Sequence, residues 1–335
     1  MQTPSDGGSP RSKSSLRNPL GSLTASRRRS QRRTSRRTVP QDTLVQETLD
    51  PQKAAFLLQK QWNLYSVTPL YNFSYNKLKD YANHLSAHIA AEKQKGLAFE
   101  VGTDLTLKAT FSPLPGLKGR AKDPAAVLIQ VVTKYPTSKK DPKERIVWTG
   151  WFCAPYLEDY VADIIPDTFV CLPLFLVNGG EQLTAMVGSW LQRSFDCCFG
   201  KLLITSHELT WLAAMWTGYE VQEHMPATEL VFSVPVEPPM TISYTIHAQD
   251  FKTLWSDIHK CTGEVTLEEV EQLFQCLYSH FFRHFKIHLS ATQLVKVTAT
   301  VASAHCEGKV KFLNRDHLIQ VLGYLTEIAM NNVQY

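Results

Sequence analysis

No C-x-x-C pair occurs among the seven cysteines, which stand at positions 153, 171, 197, 198, 261, 276 and 306. An odd count with no such pair, and no secretory signal peptide at the N-terminus, argues against a disulfide framework and for buried free thiols in a reducing compartment. Long apolar runs are missing too. Val170 to Val177 is the longest clean one; it is broken by Pro173 and too short to cross a bilayer. The expectation is a soluble, intracellular protein with no membrane contact.

The signatures of catalysis are equally scarce. Neither G-x-x-x-x-G-K-[ST] nor G-x-G-x-x-G occurs, so no glycine-rich loop is in place to cradle a phosphate. There is no G-x-S-x-G elbow, and Cys197-Cys198 has no histidine neighbour in sequence. His280, His284 and His288 are spaced by four, but they lack the glutamate and third ligand of a zinc-binding helix. His280 and His284 also lie along the edge of an apolar arc, with His288 beyond the expected helix end, so packed or surface histidines are the better reading. Asp159, Asp163 and Asp167 share that spacing, but Pro166 interrupts it, which suits a solvated acidic face. No enzyme activity, cofactor or metal is expected.

What is present is ample material for a core. Of 335 residues 44% are apolar, with seven Trp, twelve Tyr and sixteen Phe, enough for two ordinary domains or one large one. The net charge of +4 is very unevenly spread. Residues 1 to 40 hold ten Arg/Lys against Asp6, a net of +9, which leaves 25 basic and 30 acidic residues, a net of −5, for the rest. Residues 1 to about 46 read as a solvated basic tail. Its Arg27, Arg28, Arg29, Arg32, Arg33, Arg36 and Arg37 suit phosphate contacts by counterion release, or a nuclear-import signal. Ser30, Ser35 and Thr38 follow arginine pairs and are candidate sites for a basophilic kinase.

The most informative stretch is Thr266 to Ser303. Thr266 and Glu269 have capping-box spacing, and Val270, Leu273, Phe274, Leu277, Tyr278, Phe281 and Phe285 then fall in one helical arc. After Ser290 the period becomes two, and Val295, Val297, Ala299 and Val301 share a face opposite Lys296, Thr298 and Thr300. Upstream, Asp50 and Pro51 open a helix through Lys60, Trp62 to Tyr75 is an extended aromatic segment, and Lys77 to Lys95 is a helix stopped by Gly96. Strands are expected at Phe99 to Val101 and Leu105 to Phe111 about a Gly102-Thr103-Asp104 turn, then at Ala126 to Tyr135, Arg145 to Cys153 and Phe169 to Val177. A loop is expected from Ser112. Trp148 and Trp151 are three apart on a strand, so they point to opposite faces and belong in a core. Helices at Glu181 to Phe199 and Ser206 to Gly218, the latter capped by Ser206, precede strands at Glu229 to Pro235 and Thr241 to His247. A helix through Phe251 to Ile258, a strand at Val310 to Leu313 and a helix at Leu318 to Met330 complete the pattern. The class is α+β with mainly antiparallel sheets, divided as tail 1–46, an N-terminal region 47–178 and a partner-binding C-terminal region 179–335.

Long irregular strings in this order carry a resemblance: DPQKAAFLLQKQWNLYSVTPLYNFSY from Asp50, AEKQKGLAFEVG, WTGWFC, CLPLFLVNGGE, WLAAMWTG and YSHFFRHFKIHLSATQLVKVTATVASAH from Tyr278. Together they resemble the vertebrate centromere protein L family over about residues 48 to 330. The resemblance implies a fold similar to the bacterial recombination-associated ring protein. It also implies a non-enzymatic subunit of the constitutive centromere-associated network of the inner kinetochore. Its partners would be centromere protein N in a heterodimer, other network subunits, and the centromeric nucleosome with its DNA. The competing reading is a chromatin protein that binds DNA through its basic arm. Docking of a partner is expected by sheet extension at Gln293 to Ala302 with Lys309 to Leu313, on a face bearing Lys296, Thr298, Thr300, Lys309 and Lys311.

Overall fold

Strands rich in Val, Ile, Phe and Trp, separated by turns, need partners for their backbone groups, and here most of them find one another in a single 11-stranded sheet. The computed structural model describes residues 36–38, 55–58, 60–96, 107–135, 143–157, 165–219, 227–260 and 263–332. In spatial order the sheet runs β11 (Met240–Ile246), β10 (Thr228–Val234), β13 (Gln293–Thr298), β14 (Ala302–His305), β15 (Lys309–Phe312), β2 (Gln61–Val67), β8 (Leu174–Gly179), β6 (Lys143–Cys153), β5 (Ala126–Tyr135) and β4 (Leu107–Leu114). A short β9 (Phe199–Lys201) also pairs with β2. Two small ribbons stand apart, β1 (Arg36–Thr38) with β12 (Glu264–Thr266) and β3 (Leu70–Tyr71) with β7 (Phe169–Val170). Every pairing among the described residues is antiparallel, as expected for the α+β class. Because β2 sits between β15 and β8, the sheet is continuous across residue 178.

Helices cover the two faces unequally. α1 (Leu78–Gly96) and α2 (Glu181–Phe195) close one core, around Trp148, Phe175 and Trp190. On the other face α3 (Ser206–Thr217), α4 (Ala248–Ile258), α5 (Leu267–Phe285) and α6 (Leu318–Asn332) close a second, around Trp62, Trp151, Trp211 and Phe312. The three-residue spacing on β6 therefore feeds both cores. Trp148 donates its indole N–H to Thr184 Oγ1 at 2.9 Å, while Trp151 meets Trp62 edge-on at 5.6 Å on the opposite side.

Several expectations are corrected by tertiary contacts. β4 runs through Pro113 to Leu114, beyond the expected loop start at Ser112; proline is tolerated there because β4 is the sheet's last strand. The run Phe169 to Val177 is two strands, split around Pro173, which cannot donate to a ladder. The helix expected to reach Phe199 stops at Phe195, with Asp196 in the left-handed region at φ 46°, and Phe199 joins β9. Thr205 rather than Ser206 caps α3, in a box with Glu208; the Ser206 hydroxyl instead accepts the Leu294 N–H. Gln293 to Ala302 is not one strand: Ala299 N–H turns back to the Ala302 carbonyl, so β13 and β14 form a hairpin and Thr300 lies in its turn. Residues 55–57 are helical, while Asp50 and Pro51, with the hairpin expected at Gly102-Thr103-Asp104, lie outside the described residues. So do Asp159 and Asp163.

The capping box of α5 forms as its spacing implies. Thr266 Oγ1 accepts the Glu269 N–H at 3.3 Å, and Glu269 Oε2 accepts the Thr266 N–H at 2.8 Å. Thr266→Ala is expected to cost about 1 kcal/mol, read as a lower urea midpoint at unchanged slope. A midpoint equal to wild type would show that packing alone sets where α5 starts.

Candidate partner-binding edge

An open sheet has two end strands, and their exposed backbone groups are a template for another strand. Here the two ends differ. At β4, Pro113 removes one donor, and the Ala109 N–H is taken by Ser86 Oγ of α1 at 2.9 Å. That edge is blunted by the chain itself. β11 is paired on one side only, by β10, among the described residues. Its sequence alternates cleanly: Thr241, Ser243 and Thr245 are exposed, and Ile242, Tyr244 and Ile246 are half-buried against the helices. It contains no proline or lysine of the kind that discourages further pairing.

α5 supports this strand from beneath. Phe281 packs on Tyr244 with ring centroids 5.1 Å apart, and the Tyr244 hydroxyl is 2.9 Å from His280 Nδ1. Burial raises the Tyr244 phenol above its ordinary pKa, so it stays protonated around neutral pH. The apolar arc of α5 continues past its cover. Val270, Leu273, Phe274, Leu277 and Phe281 are buried, as the arc requires, but Phe285 is 60% exposed and Ile287 just beyond is 46% exposed. Phe285 lies 4.5 Å from Phe281 by ring centroid, so the exposed aromatic is continuous with the face under the edge strand. Met240 and Val236 expose apolar surface at the hairpin end of the same strand. An open backbone edge flanked by apolar side chains suits a partner that adds a strand and packs on it.

The histidines fit into this frame as packing groups. His280 stacks near Tyr244 and lies 4.6 Å from His284, while His288, beyond the helix, stacks on Phe282 at 4.2 Å. A cleft of about 590 Å³ between α3 and α5 brings Ser206 and His207 to its wall, but both are committed to architecture. Ser206 accepts the Leu294 N–H, and His207 Nε2 accepts the Trp211 indole N–H at 3.1 Å.

Comparison with known proteins shows the family of the chain. Residues 56–330 match the family described as Centromere protein L. The chain is 63% identical over 298 residues to Centromere protein L of Xenopus tropicalis, covering 89% of this chain and 86% of that one. Against the Gallus gallus protein of the same name it is 56% identical over 290 residues, 86% of this chain and 84% of the relative. The Homo sapiens protein is 51% identical over 297 residues, 88% and 86% of the two chains. The chain belongs to the centromere protein L family.

In this family member four of the residues expected at the interface lie on strands inside the sheet. Lys296, His305 and Lys309 form one cross-strand row, and Thr298, Ser303 and Lys311 the next, so four of the five expected residues do share a face. β13, β14 and β15 are nevertheless internal, each hydrogen-bonded on both sides, so sheet extension is closed to them. Only a side-chain face remains there. It is partly neutralised, with Lys296 2.7 Å from Glu229 and Lys309 paired with Glu307. Burial, then the nearby Lys309 and Lys296, pull His305 below its usual pKa against the opposing pull of Glu307, so it is neutral at physiological pH. The edge at β11 went unrecognised in the sequence because alternation marks a half-buried strand without saying which neighbour is missing.

Arg27, Arg28, Arg29, Arg32, Arg33, Ser30 and Ser35 lie outside the described residues. Arg36, Arg37 and Thr38 form β1 on the body. Arg37 is buried at 5% exposure, its guanidinium 4.9 Å from the Trp211 ring centroid and its Nε 3.6 Å from Glu327 Oε1. No helix among the described residues is long and apolar enough to cross a membrane.

Proposed function

We propose that this chain is a non-enzymatic structural subunit of the inner kinetochore, located in the nucleus at centromeres. In this reading it heterodimerises with centromere protein N and so helps anchor the constitutive centromere-associated network on nucleosomes carrying the centromeric histone H3 variant. Family membership supports the centromeric role, and the observation that carries the pairing is the open edge of β11 above the exposed end of α5. A strand added there gains backbone hydrogen bonds from β11 and apolar contact from Phe285 and Ile287. The deciding experiment is light scattering of the chain alone and with centromere protein N. A 1:1 species is the expected result, and a chain whose mass ignores the partner overturns the reading.

The rows through Lys296 and Lys311 favour a second arrangement, face-on rather than edge-on. Lys296→Glu with Lys311→Glu separates the two. Edge docking predicts affinity for centromere protein N within about threefold of wild type, as for peripheral charges, whereas face docking predicts a much larger loss. The net +9 of residues 1 to 40 keeps DNA binding by the arm as a separate activity of the same chain. Deleting those residues is expected to remove DNA retention and its salt dependence while leaving partner binding intact.

A further inference from the structure

The register of β1 on β12 sets Arg36 opposite Thr266, Arg37 opposite Val265 and Thr38 opposite Glu264. Directly opposed residues share a face of an antiparallel pair, as do residues two apart on one strand. Arg37 therefore points inward, to its place over Trp211 and beside Glu327. Arg36 shares its face with Glu264, and Arg36 Nη1 is 3.7 Å from Glu264 Oε2.

The inward arginine is held without being fully satisfied. Its Nε and Nη1 are buried with no hydrogen-bond partner, so the ion pair, the ring contact and a three-residue ladder must offset the desolvation of a guanidinium. Charge added beside that ladder acts on the same balance. One position is placed to receive that charge. Thr38 follows Arg36 and Arg37 directly, the arrangement a basophilic kinase reads, and it stands opposite an acid.

We propose that Thr38 is a phosphorylation site whose modification releases the N-terminal arm from its seat on β12, Trp211 and Glu327. The transfer moves the γ-phosphoryl group of ATP onto the threonine hydroxyl oxygen. The new bond joins that oxygen to phosphorus, the bond from phosphorus to the bridging oxygen of ADP breaks, and the hydroxyl proton passes to solvent. Charge added at position 38, which the register sets opposite Glu264, introduces repulsion where the ladder holds the Arg36–Glu264 ion pair. Arg37 then returns to water. Docked, the arm buries Arg37 and sets the exposed Arg36 beside Glu264; released, Arg37 joins it in solvent.

Hydrogen exchange on the full-length chain tests this, read at residues 263–267 and at 36–38. Wild type is expected to protect both segments, and the kinase-phosphorylated chain or Thr38→Glu to exchange there about tenfold faster with β5 and β6 unchanged. Thr38→Val, which adds no charge, should behave as wild type, and Glu264→Gln should restore protection to Thr38→Glu. The proposal is overturned if wild type exchanges at 263–267 as fast as an unpaired chain, if phosphorylation leaves protection intact, or if Thr38→Val loses it too.

Discussion

On the proposed pairing, Ser243→Lys combined with Phe285→Ser is expected to abolish heterodimer formation with centromere protein N at micromolar concentrations, weakening affinity by about 100-fold, or about 3 kcal/mol. Both positions are exposed, so neither change removes core volume. A lysine in mid-strand obstructs a further strand by presenting a charge the added chain would have to desolvate. Serine at 285 removes the aromatic that continues the α5 face outward from Phe281. The measurement is light scattering and titration calorimetry of the double variant, with its thermal melt alongside to show that the fold is intact. Full retention of partner binding with an unchanged melt would rule out the β11 edge. Loss of binding in the double variant, together with retention in Lys296→Glu with Lys311→Glu, would fix the docking mode as edge-on.

Gly308→Ala should produce the largest loss of stability of any glycine-to-alanine change at a turn among the described residues. Gly308 has φ of 72°, a conformation that costs a residue with a Cβ about 1 kcal/mol by itself. The added Cβ would also stand 1.9 Å from the Leu202 carbonyl oxygen, inside any tolerable contact. That oxygen belongs to backbone and cannot rotate away. Around it, Leu64 N–H donates to the Gly308 carbonyl, Leu202 N–H to Leu64, and Ile204 N–H to Cys306, so the β14–β15 turn is stitched to β2 and to the segment before α3. Relieving the clash means breaking part of that stitching. The expected cost is about 3–5 kcal/mol, with a melting temperature lower by roughly 10 °C. Gly200→Ala is the control, because nothing lies within 4 Å of its added Cβ, and its melt should stay within about 2 °C of wild type. A Gly308→Ala melt as mild as that of the control would show that the turn is free to move off Leu202.

Local signals were legible wherever the physics that creates them is local. The α5 cap needs only Thr266 and Glu269 three residues apart, and it forms. Trp148 and Trp151 point into opposite cores because strand alternation leaves them no choice. The misreadings arose where a neighbour distant in sequence decided the outcome. Ser206 and Thr205 are equivalent as caps by sequence, but Leu294, 88 residues away, claims the serine hydroxyl. Val295 to Val301 keeps a period of two through a turn, so alternation alone could not show that the chain reverses at Thr300. Phe285 obeys the same periodicity as Phe281, and only the tertiary packing distinguishes the exposed ring from the buried one.

The sequence by itself determined the α+β class, most of the elements, the two-sided packing of β6, the segregation of positive charge into the first 40 residues, and, through long irregular strings, the family. These follow from periodicity, caps and composition, which act over a few residues, or from identity of sequence. Only the tertiary structure decided that β2 is inserted between β15 and β8, that β13 and β15 are internal while β11 is paired on one side only among the described residues, and that Arg37 is seated over Trp211. The reason is that strand order and side-chain burial depend on which distant segments win the competition for each backbone edge and each apolar face. Nothing within a strand's own residues records that result.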